Sequence, residues 1–304
     1  MTKTTTRIKF RTLLSNPGLI LPIGIWDPFT ARVAEWVGLK CTYMGGFHLG
    51  KHLVVTEPLL TLTEVANACR YITAVIDIPL VVDVGAGFGE PLHVVRTVRE
   101  MERAGAAAIH IEDQAYPKRA HYHKGVERII SRQEMLSKIK AALGARTDPD
   151  FVIIGRTDAF RTHGFKEGVE RANLLFEAGA EMVLIYPNSV EEARQAPREI
   201  KGPLSYTVSE GNTFGRPVFS VHELEDMGYK MATYPTTLLC PVMQELKRVM
   251  TNLMTTGESG LPSDKMTVWR KELEDLVRLP ELYKLESETI EDLEGKTKGE
   301  TKRR

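Results

Sequence analysis

The chain reads as an α/β protein, a (β/α)8 TIM barrel with a C-terminal helical extension. Two observations predict it. Eight short apolar runs alternate with amphipathic helical patterns across about 240 residues, the period of a closed parallel barrel. Three of those runs also stop abruptly in charge. Leu80-Val81-Val82 ends at Asp83, Ile109-His110-Ile111 at Glu112 and Asp113, and Val152-Ile153-Ile154 at Gly155-Arg156-Thr157-Asp158. Parallel strands carry their C-terminal ends to one face, so these charges should meet there as an active-site layout rather than a solvated surface.

The elements follow in order. A strand over 19–25 precedes a helix over 28–37, with Asp27 as N-cap. A strand over 40–45 and a helix over 62–76 come next. The strand 80–83 leads to a helix over 91–104 that opens on Pro91, a residue tolerated in a first turn. The strand 107–112 leads through a long loop to a helix over 132–143, and 151–156 to a helix over 166–177. The last units pair 182–186 with 190–196, 204–208 with 221–227, and 231–234 with 238–250. Gly105 and Gly179 read as helix stops feeding the next strand. No Gly/Ser linker divides the chain, so residues 1–255 read as one catalytic domain.

Residues 256–304 differ. One helical stretch, 263–279, should stop before Pro280 and carries Met266, Trp269, Leu273 and Leu276 at helical spacing. That stripe needs a surface to cover, either its own barrel or a partner subunit. A charged tail follows from Glu286.

Composition narrows the class. The 304 residues include 40 basic and 40 acidic side chains, so no net charge steers the chain to nucleic acid or an anionic membrane. Cys41, Cys69 and Cys240 show neither metal spacing nor a disulfide framework and read as buried reduced thiols. The N-terminus lacks an apolar signal core, and no run approaches the ~20 apolar residues of a membrane span. The expectation is a cytoplasmic enzyme acting on a small molecule.

Asp83 and Glu112, at neighbouring strand ends, suit a hard divalent cation held by a few carboxylates plus water and substrate oxygens; the bland alternative is an ion pair with Arg156. Arg156 follows a wholly apolar strand, and a buried guanidinium needs an anion, either substrate or an internal acid such as Asp158. Tyr43-Met44-Gly45-Gly46 ends the second strand, where adjacent glycines leave backbone N–H groups open to a carboxylate. The loop 114–130 is long for a barrel connection and holds Lys118, Arg119, His121, Tyr122, His123 and Lys124. It reads as a lid able to exclude water and deliver an acid or base, or as a solvated basic loop.

These residues carry a resemblance. Val82-Asp83 with Gly87-Phe88-Gly89, Gly105-Ala106-Ala107 with His110-Ile111-Glu112-Asp113-Gln114, Pro117-Lys118-Arg119, and Asp148-Pro149-Asp150-Phe151 with Arg156-Thr157-Asp158-Ala159 resemble the isocitrate lyase/phosphoenolpyruvate mutase superfamily, in particular its short methylisocitrate-lyase-like branch. The resemblance covers roughly residues 16–257. It implies Mg2+ (or Mn2+) at Asp83 and Glu112, the substrate carboxylate at Tyr43, Gly45 and Gly46, and Arg156 beside the oxygen on which charge develops. It also implies a C-terminal helix swapped between subunits of a homodimer or homotetramer. Asn212, in the polar segment after the seventh strand, joins the expected substrate contacts. The chain departs from the family pattern at Gly85, where a second acid is usual; at Ala120, where the lyase branch has a Cys acid; and at Tyr186-Pro187-Asn188, where a Glu is usual. These departures point away from methylisocitrate or isocitrate as substrate and keep the scaffold and its enolate chemistry. Lys118, Arg156 and one of His121, Tyr122 or His123 then carry the reaction. The expected activity is C–C cleavage of a small 2-oxo or 2-hydroxy acid. The alternatives are an oxaloacetate decarboxylase or hydrolase, a phosphonopyruvate-type C–P enzyme, and a carboxylate binder without catalysis.

Overall fold

A computed structural model describes residues 5–125 and 127–289. The strands are β1 (Ile23–Gly24), β2 (Thr42–Met44), β3 (Leu80–Asp83), β4 (Ala108–Glu112), β5 (Val152–Arg156), β6 (Met182–Ile185), β7 (Leu204–Thr207) and β8 (Met231–Thr233). They pair in parallel in chain order. Bridges from Ile20 to Met231 and from Ile23 to Tyr234 close the ring between the first and last strands. The eight-stranded barrel is as expected, with shorter strands than the apolar runs suggest.

The helices of the barrel unit are α1 (Thr6–Ser15), α2 (Pro28–Trp36), α3 (Gly46–His52), α4 (Leu62–Thr73), α5 (Pro91–Arg103), α6 (Arg132–Ala145), α7 (Ala159–His163), α8 (Phe165–Glu177), α9 (Val190–Glu199) and α10 (Val221–Met227). Asp27 caps α2 as expected, its carboxylate accepting from Thr30 N–H at 2.8 Å. The helices α1, α3 and α7 were not legible in the sequence. Two are short, and α1 shows only Phe10, Leu13 and Leu14 on its apolar side.

Alternate strand residues separate two apolar layers. Val82, Ile109, Ile153 and Val183 face the surrounding helices. Val81, Ala108, Val152, Ile154 and Met182 fill the barrel with Phe10 of α1 among them. Complete burial of Phe10 contributes about 2–3 kcal/mol. Arg7 holds α1 down, reaching Asp148 at 2.6 Å and the carbonyl of Ala106 at 3.2 Å.

The chain forms two compact units, which meet at Val242–Met243. Helix α11 (Leu239–Thr256) runs into the second unit, which continues as α12 (Ser263–Leu276) and α13 (Leu279–Thr289). The expected helix 263–279 therefore ends early, at Leu276, and Pro280 sits in the first turn of a further helix. That helix extends past Glu286, where a charged tail was expected; residues 290–304 lie outside the described residues. Of the cysteines, Cys41 and Cys69 are buried free thiols, while Cys240 is exposed, contrary to expectation. Among the described residues, no helix is long and apolar enough to cross a membrane.

Candidate active site

The C-terminal ends of β2 to β5 bring the predicted charges together. Arg156 lies at the centre, pairing with Asp83 at 2.9 Å, Glu112 at 3.0 Å and Asp158 at 3.2 Å. Burial works against its charge, but the three carboxylates outweigh burial and hold the guanidinium protonated. Tyr43 donates its hydroxyl to Asp83 at 3.1 Å. The other Asp83 oxygen accepts the N–H of Gly85 at 2.8 Å. Asp158 is fixed by Gln114 at 2.6 Å, and Asp113, one residue beyond Glu112, is tied to Thr157 at 2.7 Å and Arg171 at 3.2 Å. Asp158 thus braces Arg156, and Asp113 ties the end of β4 to the segment after β5.

Lys118 comes down from the lid into this cluster. Its ammonium lies 3.0 Å from Glu112 and bonds to Glu57, and it sits 4.0 Å from the centre of the Tyr122 ring. Burial opposes the charge of Lys118, yet Glu112 and Glu57 raise its pKa above the usual value. For Glu112 burial wins and the carboxyl is pushed upward, against the pull of Arg156 and Lys118. Tyr122 donates to the second Glu57 oxygen; burial and that carboxylate keep the phenol protonated.

Glu57 was not singled out from the sequence. It lies in a short 3-10 turn (Glu57–Leu59), not at a strand end, so periodicity gives it no mark. Gly46 carries a trace of it: a Cβ there would lie 2.4 Å from the Glu57 side chain. Gly45 likewise makes room for the Tyr43 hydroxyl, 2.8 Å from where its Cβ would be. The expected role of the glycines changes accordingly. The N–H of Gly45 is not open to a ligand, because it donates to His48 Nδ1 at 3.1 Å.

Tyr43, Gly45, Gly46, Asp83, Tyr122 and Arg156 all line one cavity with about 110 Å³ of space for water-sized groups. Five expected residues do not line it: Glu112 and Lys118, which belong to the ion-pair cluster with Arg156, and His121, His123 and Asn212. His121 is exposed. His123 bonds to Thr56 at 2.7 Å. Asn212 is an internal strut of its own loop, because its amide donates to the carbonyls of Ser209 and Arg216 at 2.8 and 3.0 Å and accepts the N–H of Arg216 at 3.0 Å. Tyr186, Arg161 and Arg216 also line the cavity and were missed. Arg161 sits in the short helix α7 and Arg216 in the loop after β7, away from the strand ends that marked the other charges.

As arranged, these residues do not fit a resident Mg2+. Both Asp83 oxygens are taken by donors, Glu112 is shared by Arg156 and Lys118, and position 85 has no side chain to add a third carboxylate. No three His, Cys, Asp or Glu groups converge with ligand geometry among the described residues.

A sequence model of the family described as phosphoenolpyruvate phosphomutase matches residues 10–254. The 2-methylisocitrate lyase of Aeropyrum pernix is 38% identical over 283 residues, covering 91% of this chain and 89% of that protein. The solved structure of oxaloacetate acetylhydrolase with the inhibitor 3,3-difluorooxalacetate superposes with a TM-score of 0.86 at 28% identity, over 95% of this chain and 98% of that one. Phosphonopyruvate hydrolase in complex with oxalate and Mg++ gives a TM-score of 0.83 at 25% identity, over 95% and 100% of the two chains. A barrel with buried Asp83, Glu112 and Arg156 at its strand ends, matched over most of its length, places the chain in the phosphoenolpyruvate phosphomutase family of the isocitrate lyase/PEP mutase superfamily, as an enzyme of lyase type.

Proposed function

We propose that this enzyme cleaves a C–C bond in a small 2-oxo or 2-hydroxy carboxylate through an enolate-like species, using two protein cations to stabilise the charge. The observation that carries this reading is the pairing of Arg156 and Lys118 around Glu112 beside the cavity that Arg156 lines. When the C–C bond breaks, its electron pair passes to the carbonyl of the departing fragment and becomes an enolate oxygen. Preorganised cations facing that oxygen in a dry site lower the barrier more than they would in water. Glu57 is the acid–base group: its carboxylate takes the proton of the substrate hydroxyl, or for a 2-oxo acid that of the water that adds to the 2-oxo carbon, and the proton returns to the enolate carbon. Tyr122 holds Glu57 in place and keeps its own proton, which sets aside His121 and His123 for this role.

Magnesium, bound by the phosphonopyruvate hydrolase relative, enters this chain only by displacing Lys118 from Glu112. The expected assembly is a homodimer or homotetramer built through the C-terminal helices. Trp269 and Leu273 support it: they remain 40% and 51% exposed on the single chain, more apolar surface than a lone helix leaves in water. The test is a panel of 2-oxo and 2-hydroxy acids assayed for 2-oxoacid and carboxylate products, with oxalate as inhibitor. Oxalate is a planar dianion that resembles a pyruvate enolate. Turnover of at least one panel member with competitive inhibition by oxalate is expected. No turnover and no oxalate binding would leave only a carboxylate-free scaffold.

A further inference from the structure

Asp113, the acid after Glu112, is bonded from several sides, and one of them is the lid. Its side chain is fully buried. One oxygen accepts the Asp158 N–H at 2.9 Å, and the other accepts the Thr157 hydroxyl at 2.7 Å and lies 3.2 Å from Arg171 Nη1. Its carbonyl accepts the N–H of Ile130, where the lid ends, at 2.8 Å. Arg171, on α8, closes the arrangement. The same Nη1 that reaches Asp113 donates to the Ile130 carbonyl at 2.9 Å, and Nε donates to Glu167 at 2.7 Å. Glu167 in turn accepts from Arg132 Nε at 3.0 Å, two residues beyond the lid. Both polar backbone groups of Ile130 are therefore tied, one to the backbone of Asp113 and the other to the side chain that holds Asp113.

Helix α8 does not need this charge to stay on the barrel. Val169, Ala172 and Leu175 already pack its inner face into the core. Arg171 is only 8% exposed, and a buried ion pair is weak glue, because apolar side chains of similar volume hold a helix as well. What an apolar side chain cannot do is serve a carbonyl and two carboxylates from one rigid plane. The links continue inward. Asp113 fixes the backbone of Asp158, whose carboxylate pairs with Arg156 at 3.2 Å. Gln114, where the lid leaves β4, holds the same carboxylate at 2.6 Å from the lid's other end. No polar contact on the path from the Ile130 carbonyl to the Arg156 guanidinium is longer than 3.2 Å.

We infer that Arg171 is a positioning residue: it ties the end of the lid to the end of β4, and through Asp113 and Asp158 it makes the alignment of Arg156 depend on that tie. The inference rests on the proposed function only for what Arg156 does once aligned. A lid that lifts its return segment must give up the Ile130 bonds, and the knot that steadies Arg156 loosens with them.

The test is limited digestion of the full chain with trypsin, the lid fragments being followed by mass spectrometry, beside steady-state kinetics on the first active panel member. The lid offers Arg119 and Lys124, both exposed, as cleavage points. Arg171→Met should speed cleavage there at least about tenfold, because cutting tracks the open population. It should lower kcat by about 10–10^2, the cost of moving a stabilising group by an ångström or less, with a smaller change in KM. Arg171→Lys, which keeps a charge for Asp113 without the fork, should recover part of both, and it carries the test if the methionine variant fails to fold by circular dichroism. Val169→Ala removes core packing from the same helix at a residue with no polar side-chain group, and it should leave lid cleavage and kcat within about twofold. Wild-type cleavage rates in Arg171→Met overturn the tie, as does an equal acceleration in Val169→Ala. A loosened lid with unchanged kcat overturns the coupling to Arg156. If no panel acid turns over, the proposed cleavage falls and oxalate affinity replaces kcat as the readout: weakening by about tenfold in Arg171→Met supports the coupling, and unchanged affinity overturns it.

Discussion

Single residues decide the chemistry at the floor of the barrel. Lys118→Met removes one of the two cations facing the developing charge. It should lower kcat by about 10^2–10^3, the usual cost of one electrostatic stabiliser, with a smaller change in KM. Steady-state kinetics on the first active panel member checks this, and unchanged kcat would remove Lys118 from the chemistry. Gly85 occupies the left-handed region at φ 55°, which Asp also tolerates, and a Cβ there would stand 3.7 Å from a Glu112 oxygen. Gly85→Asp should therefore create a third carboxylate and raise Mn2+ affinity at least about tenfold over a wild type that binds it poorly, as read by paramagnetic resonance of bound Mn2+. Tight Mn2+ binding by the wild type would show that Lys118 gives way to the ion. Buried histidines set a pH limit on stability. His48 and His110 are held down to about 4 by burial, from the ordinary 6.5, and both His110 ring nitrogens lack hydrogen-bond partners among the described residues. The unfolded chain binds these protons first as pH falls below 6.5, so stability is full above that value and is lost between about 6.5 and 4. Each contributes roughly 3 kcal/mol at ~1.4 kcal/mol per pKa unit. Urea unfolding at pH 7.5 and pH 5 should differ by several kcal/mol, and a His110→Asn variant should show a shallower dependence. A pH-independent midpoint would mean that these imidazoles are exposed to solvent or paired with an anion in their charged form.

At the scale of elements, loops hold the groups that the strands cannot. The lid is clamped at its neck by the Gln114–Ile129 bridge and by the Ile130 N–H bond to the Asp113 carbonyl at 2.8 Å, so the segment bearing Lys118 and Tyr122 leaves and returns at fixed points. The loop after β7 is held by one side chain. Asn212→Ala deletes four backbone-directed hydrogen bonds in that loop, two donated and two accepted, at 2.8 to 3.2 Å. Arg216 should then lose its fixed position. The expected result is weaker binding of the first active panel member with the thermal midpoint nearly unchanged, because the loop is outside the barrel core. A large drop in thermal midpoint would instead mark the loop as part of the folding unit.

At the scale of the molecule, the barrel unit has a filled interior, while among the described residues of the C-terminal unit Leu276 is buried and most other large apolar side chains are not. Met243, Leu246, Met250, Met254, Trp269, Leu273, Leu282 and Tyr283 are all exposed on the single chain. A surface of that kind is stable when a second chain covers it. Deleting residues 259–304 should yield a smaller or aggregating species by light scattering. The same assembly in the truncated protein would place the interface elsewhere.

What the sequence determined by itself was the barrel and the identity of its charged floor. Alternating apolar runs and helical patterns require eight buried parallel strands, and a strand buried on both faces can place Asp83, Glu112 and Arg156 only at its end. The sequence also showed which acid was missing, at Gly85. It did not show what each charge faces. Glu57 and Arg216 lie 55 and 60 residues from the strand-end acid and the arginine they work beside, Glu112 and Arg156, in turns without periodicity, so nothing local distinguishes them from solvated polar residues. Only the closed ring of strands brings them to one cavity. There, burial and neighbouring charge decide that Lys118 sits on Glu112, that Asn212 braces its own loop, and that Arg216 has no ion-pair partner among the described residues.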